Sequence, residues 1–133
     1  MENLSNLSEF SIPTYSIAVA LSYSTLASVV SMSENPGTVY MNGSSVALGI
    51  MAVMFLLLLT LAKDNYTRIY LIANAVLAGV QSYFLSKYIQ KPGNQVLYVY
   101  DKKHKDIINI ITSFIVISSI IYIFIQVAQG KKN

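Results

Sequence analysis

Ile50-Met51-Ala52-Val53-Met54-Phe55-Leu56-Leu57-Leu58-Leu59 is an unbroken apolar run inside 28 uncharged residues, 35–62. A helix rises ~1.5 Å per residue and the hydrocarbon core of a bilayer is ~30 Å thick, so roughly 20 such residues cross it. Outward from this run, charged residues delimit three more windows: 24 uncharged residues at 10–33, 18 at 69–86 and 24 at 107–130. The window at 69–86 is just short, and Tyr88 and Ile89 extend it past a Lys87 whose ammonium can snorkel to the interface. The spacing predicts an all-α integral membrane protein, a bundle of four transmembrane helices over about 12–32, 46–62, 69–88 and 107–127, in a single domain, 1–133.

Composition leads to the same class. Of 133 residues, 54% are hydrophobic and 11% charged, against about 25% charged in soluble domains. So small a globule has much surface per volume and would need polar residues to cover it in water. The chain has too few of them, and lipid is the solvent that fits.

Turn chemistry places the connections. Asn35-Pro36-Gly37 and Asn42-Gly43-Ser44 are turn signals that make 33–45 the first loop. The second loop, 63–68, is short enough to set the second and third helices antiparallel and adjacent, with Asp64 or Asn65 as a cap. In the third, Lys91-Pro92-Gly93-Asn94 turns the chain, and Val96-Leu97-Tyr98-Val99-Tyr100 reads as a short strand. The first helix is interrupted by serines at 16, 22, 24, 28 and 31, and Pro13 suits its first turn. Tyr15, Tyr66, Tyr70, Tyr88 and Tyr122 fall near span ends as an aromatic belt, while Tyr23 and Tyr83 fall deeper, between helices.

Charge excludes several functions. No Lys or Arg precedes Lys63, and the only dense basic cluster is Lys102, Lys103 and Lys105. A lysine cluster beside an apolar span suits lipid headgroups better than nucleic acid. Glu2 and Glu9 without a nearby base are the wrong sign for a secretory or transit peptide, so the first apolar segment is expected to be retained. Basic residues divide four against five between the two sides, which leaves orientation open.

No catalytic, cofactor or metal site is expected. Cysteine is absent and His104 is the only histidine, expected at the surface among the lysines. The acidic residues lie in loops or termini, and phosphate loops and nucleophile–base motifs are missing. The sequons at Asn3, Asn6, Asn42 and Asn65 are short enough to arise by chance.

Polar residues instead form stripes at helical spacing. Ser24, Ser28 and Ser31 align in the first helix beside Ala20 and Ala27. In the third, Asn74, Ala78 and Gln81 share a face, and Ala75 with Gly79 makes a small-residue step. Asn109, Thr112, Ser119 and Gln126 align in the fourth. Such stripes serve helix packing, since lipid provides no hydrophobic drive between helices. The other reading is a polar pathway, disfavoured because no ionisable group lies inside a span.

The third loop is the candidate contact surface, through Val96, Tyr98, Tyr100, Lys102, Lys103 and Lys105. Its strand either extends a partner's sheet or lies on the headgroups. The expected partners are the bilayer and other protein subunits, with no nucleic acid and no small-molecule substrate. The functional expectation is a non-catalytic structural or accessory subunit. Its setting is a virion with an internal membrane beneath a capsid, favoured by the missing basic targeting segment, or an organellar membrane complex. The alternative is a small oligomeric channel, pore or carrier.

Overall fold

The computed structural model of the chain describes all residues except 1, 34, 35, 91, 92, 94–96 and 133, with backbone alone for 2–11 and 130–132. Four α-helices follow one another among the described residues: α1 Glu2–Met32, α2 Thr38–Leu58, α3 Asn65–Leu85 and α4 Lys102–Lys132. Each contains a segment long and apolar enough to cross a membrane: Ile12–Met32, Thr38–Leu58, Asn65–Leu85 and Lys102–Gln129. Between α3 and α4, β1 (Ile89–Gln90) pairs antiparallel with β2 (Tyr98–Val99), Ile89 opposite Val99 and Gln90 opposite Tyr98.

The helix starts differ from the sequence reading, each for a local reason. Helix α2 begins at Thr38 instead of 46, so Asn42-Gly43-Ser44 is helix, not turn. The chain reverses at Gly37, whose φ of 80° needs a glycine, and the Met41 N–H then bonds the Gly37 carbonyl at 3.1 Å. Burial of Met41, Ser44 and Ser45 outweighs the ~1 kcal/mol that an interior glycine costs a helix.

Helix α3 likewise starts at Asn65, with Asp64 at its N-cap, and ends at Leu85. Its extra length comes from the start and not from Tyr88 and Ile89. Arg68 fits inside the helix because its guanidinium turns back to the Ala62 carbonyl at 3.4 Å. The Asp64 carboxylate accepts from the Thr67 hydroxyl at 3.3 Å and caps no backbone N–H.

Helix α4 starts at Lys102 instead of 107, so the lysine cluster forms its opening turns. Tyr100 fixes that entry: it is buried, and its hydroxyl donates to the Leu85 carbonyl at 2.6 Å. Helix α1 reaches back to Glu2 and encloses Pro13, which is therefore not in its first turn.

The helices close a ring in chain order, α1 on α2, α2 on α3, α3 on α4 and α4 on α1, with α1 also touching α3 across the diagonal. That diagonal approach follows from small side chains. Ser16, Ala20, Ser24, Ala27 and Ser31 recur every three or four positions along α1 and are all buried. Phe55, Met41, Leu48 and Met51 of α2, Leu71 and Leu85 of α3, and Ile108 and Ile115 of α4 fill the space between. The expected Ala75–Gly79 step does not form. Ala75 and Ala78 face inward, but Gly79 is exposed, and a Cβ there would meet nothing within 4 Å.

Candidate functional site

The chemistry of this fold is concentrated in polar side chains between helices. Thr112 of α4 is where three helices meet. Its hydroxyl oxygen accepts from Ser28 of α1 at 2.8 Å and from the Gln81 amide of α3 at 2.7 Å. Its single proton lies between the Ile108 carbonyl at 3.0 Å and the Ser24 carbonyl at 3.1 Å. Gln81 Nε2 also donates to the Ile108 carbonyl at 3.0 Å, while Gln81 Oε1 is buried without a partner. Turning the amide over would set oxygen against the Ile108 carbonyl, so the observed orientation is the better one.

Three further rungs join α3 to α4. Asn74 Nδ2 reaches Ser118 Oγ at 3.2 Å and its own helix at the Tyr70 carbonyl, 3.0 Å. The Tyr70 hydroxyl pairs with Ser119 Oγ at 2.7 Å, and Thr67 Oγ1 with the Tyr122 hydroxyl at 2.6 Å. The Tyr70 and Tyr122 rings stack with centroids 4.3 Å apart and planes 17° from parallel. Both tyrosines are buried inside the bundle, where the sequence reading had put them at its ends. Tyr83, expected between helices, is 58% exposed with the Lys87 ammonium 5.3 Å from its ring.

Helices α2 and α3 are clasped reciprocally. Ser45 Oγ donates to the Ser82 carbonyl at 2.7 Å and Ser82 Oγ to the Ser45 carbonyl at 2.6 Å. Neither serine stands out in the sequence, where turn chemistry places Ser45 in the first loop. The signal was the adjacent serines 44 and 45 opposite a serine-bearing third helix.

The other candidates are placed as follows. Ser24 and Ser31 are buried but bond carbonyls of their own helix, Leu21 at 3.4 Å and Ser28 at 2.9 Å. Asn109 is half-buried and likewise stays on its own helix, at the Lys105 carbonyl, 2.8 Å. Gln126 Nε2 is buried with no partner.

In the third loop, Val96 lies outside the described residues. One edge of Tyr98–Val99 is already occupied by β1, and Tyr98 is half-buried edge-on to Tyr88 at 5.4 Å. Tyr100 is 3% exposed, which removes it as a contact surface, and burial pushes its hydroxyl pKa well above the usual 10.0. Lys102 and Lys103 are exposed and Lys105 is half-buried. His104 is not on the open surface: it sits half-buried 5.4 Å from Phe84, with Nδ1 unpartnered. No group of three or more His, Cys, Asp or Glu side chains converges among the described residues.

No protein-family model, no curated protein and no solved structure matches this chain.

Proposed function

We propose that the chain is a multi-pass membrane protein acting as a non-catalytic structural or accessory subunit of a larger membrane assembly. A virion with an internal membrane under its capsid is the first setting to try, and an organellar membrane complex the second. One observation carries the reading. The hydroxyls and amides at Thr112, Gln81, Asn74, Tyr70 and Ser45, buried or half-buried, are used to tie helix to helix. Groups so engaged hold a bundle together and do not line a path for a solute.

The outward faces carry Val46, Ile50, Val53 and Leu57 on α2, Ile69, Ile72 and Val76 on α3, and Ile110, Phe114, Ile117 and Ile121 on α4, all exposed. Apolar surface that continuous belongs against lipid or protein. The exposed Lys102 and Lys103 offer amines for mapping neighbours.

The test combines amine cross-linking in the native membrane with ion flux through the purified protein in liposomes. Cross-links from Lys102 or Lys103 to a protein neighbour, with silent liposomes, are the expected result. A current that Thr112→Val or Gln81→Leu abolishes would replace this reading with a pore.

A further inference from the structure

We propose that the cavity at the end of the bundle holding the α2–α3 connection is a headgroup site for a phospholipid bearing a primary amine, the chemistry of phosphatidylethanolamine. The inference rests on the membrane reading above. The cavity has a volume of about 390 Å³ and lies between the start of the α1 span, the α2–α3 connection, and the ends of α3 and α4. Its polar wall is Lys63, Asp64, Thr67, Gln126 and Gln129, and Ile12 belongs to the apolar wall. That volume falls in the range of roughly 300–1,000 Å³ typical of small-ligand sites.

Three observations choose the occupant. Lys63 is an exposed cation and Gln126 carries an amide N–H that is buried without an acceptor. A buried donor without an acceptor is rare enough in folded proteins to require an explanation. Gln126 lines the cavity, so a rotation of its side chain can present that N–H to an occupant. An ammonium and an amide N–H together suit a phosphate oxygen.

Next to Lys63 stands the half-buried Asp64 carboxylate, whose Oδ2 accepts a 3.3 Å bond from Thr67. A carboxylate there repels a purely anionic headgroup and accepts from a primary ammonium. The quaternary ammonium of choline has no N–H to give.

The third observation is depth. Lys63 and Asp64 lie in the connection between the ends of two apolar helices, at the level where headgroups lie. Beginning at the same level and running deeper, α3 and α4 also form an apolar slot of about 170 Å³ between Tyr66, Ile69, Ile121 and Ile125, room for a stretch of acyl chain.

The experiment uses the full chain in nanodiscs of phosphatidylcholine doped with phosphatidylethanolamine, and native mass spectrometry of the lipid that leaves with the protein. Phosphatidylethanolamine should be retained about fivefold above its share, the size of one ordinary net hydrogen bond. Lys63→Gln, an exposed change that spares the fold, and Gln126→Leu should each lower the total phospholipid that leaves with the protein, because both lipids carry the phosphate that these groups bind. Asp64→Asn should abolish the preference over phosphatidylcholine in particular. Ser113→Ala, exposed elsewhere on α4, should change nothing.

Retention at the mixing ratio in the unaltered chain, a preference indifferent to Asp64→Asn, or a total lipid load indifferent to Lys63→Gln and Gln126→Leu, overturns the site. So does displacement of the lipid by soluble phosphoethanolamine or inorganic phosphate, which would make it a site for dissolved anions. Protease protection in the same discs reports insertion separately. A chain that fails to insert refutes the membrane reading, whereas one that inserts without lipid preference refutes only the headgroup site.

Discussion

Thr112→Val and Gln81→Leu remove opposite ends of one 2.7 Å hydrogen bond, yet they should move stability in different directions. Valine keeps the shape of threonine and deletes the oxygen that accepts from Ser28 and Gln81. Interhelical hydrogen bonds inside a membrane average about 0.6 kcal/mol and reach about 1.7. The loss should be about 1–2 kcal/mol, held down because Gln81 Nε2 keeps the Ile108 carbonyl. Gln81→Leu also deletes two such bonds, but it removes the buried Oε1 that has no donor. An unsatisfied buried polar atom costs about 1–3 kcal/mol, so Gln81→Leu should be near neutral or stabilising. The assay is reversible unfolding in mixed dodecyl sulfate micelles, followed by near-ultraviolet dichroism of the stacked Tyr70–Tyr122 pair. A Gln81→Leu protein less stable than Thr112→Val would refute the assignment of Oε1 as an unmet acceptor.

The two glycines of the first loop and α2 should respond oppositely to alanine. Gly37→Ala forces a side chain into φ 80° and should cost about 1–2 kcal/mol. Gly43→Ala, exposed in a helix with open space around its Cβ, should gain about 0.5–1 kcal/mol in the same unfolding assay. Tyr122→Phe keeps the ring stack but deletes the 2.6 Å bond to Thr67, and should cost about 1 kcal/mol by the same measurement. Tyr100 sets a pH dependence in the third loop. Its folded pKa is raised by burial, and secondarily by Tyr88, above the usual 10.0. The unfolded loop therefore loses its proton first, and the stabilisation present below pH 10 declines as pH rises beyond it. Proteolysis of the loop should accelerate in that alkaline range, and Tyr100→Phe should flatten the dependence.

Charge spacing revealed the number of helices and their approximate centres, because a charge is costly inside an apolar helix wherever it falls. It could not fix where each helix begins. Asn42-Gly43-Ser44 has the composition of a turn, and only the burial of Met41, Ser44 and Ser45 makes it helix. Arg68 looked like a loop residue because the carbonyl that receives it belongs to Ala62, across the connection. Periodicity found Thr112, Gln81 and Asn74 because a stripe of polar residues is visible on one helix alone. It missed the Ser45–Ser82 clasp, which exists only once the registers of two helices are known. Tyr70 and Tyr122 were misplaced because their hydroxyls find Ser119 and Thr67 inside the bundle and so have no need of the interface.

The ring closes between the first helix and the last. Ser28 waits for Thr112, 84 positions later, and the Ser24 carbonyl for the same hydroxyl, 88 positions later. A ribosome would have made α1, α2 and α3 before either partner existed. Until then α1 can lean on α2 and α3, but Ser24 and Ser28 lack the hydroxyl that engages them in the finished bundle. Assembly of this protein is therefore governed by its final segment, and a chain halted before α4 should leave α1 loosely held and open to quality-control proteases.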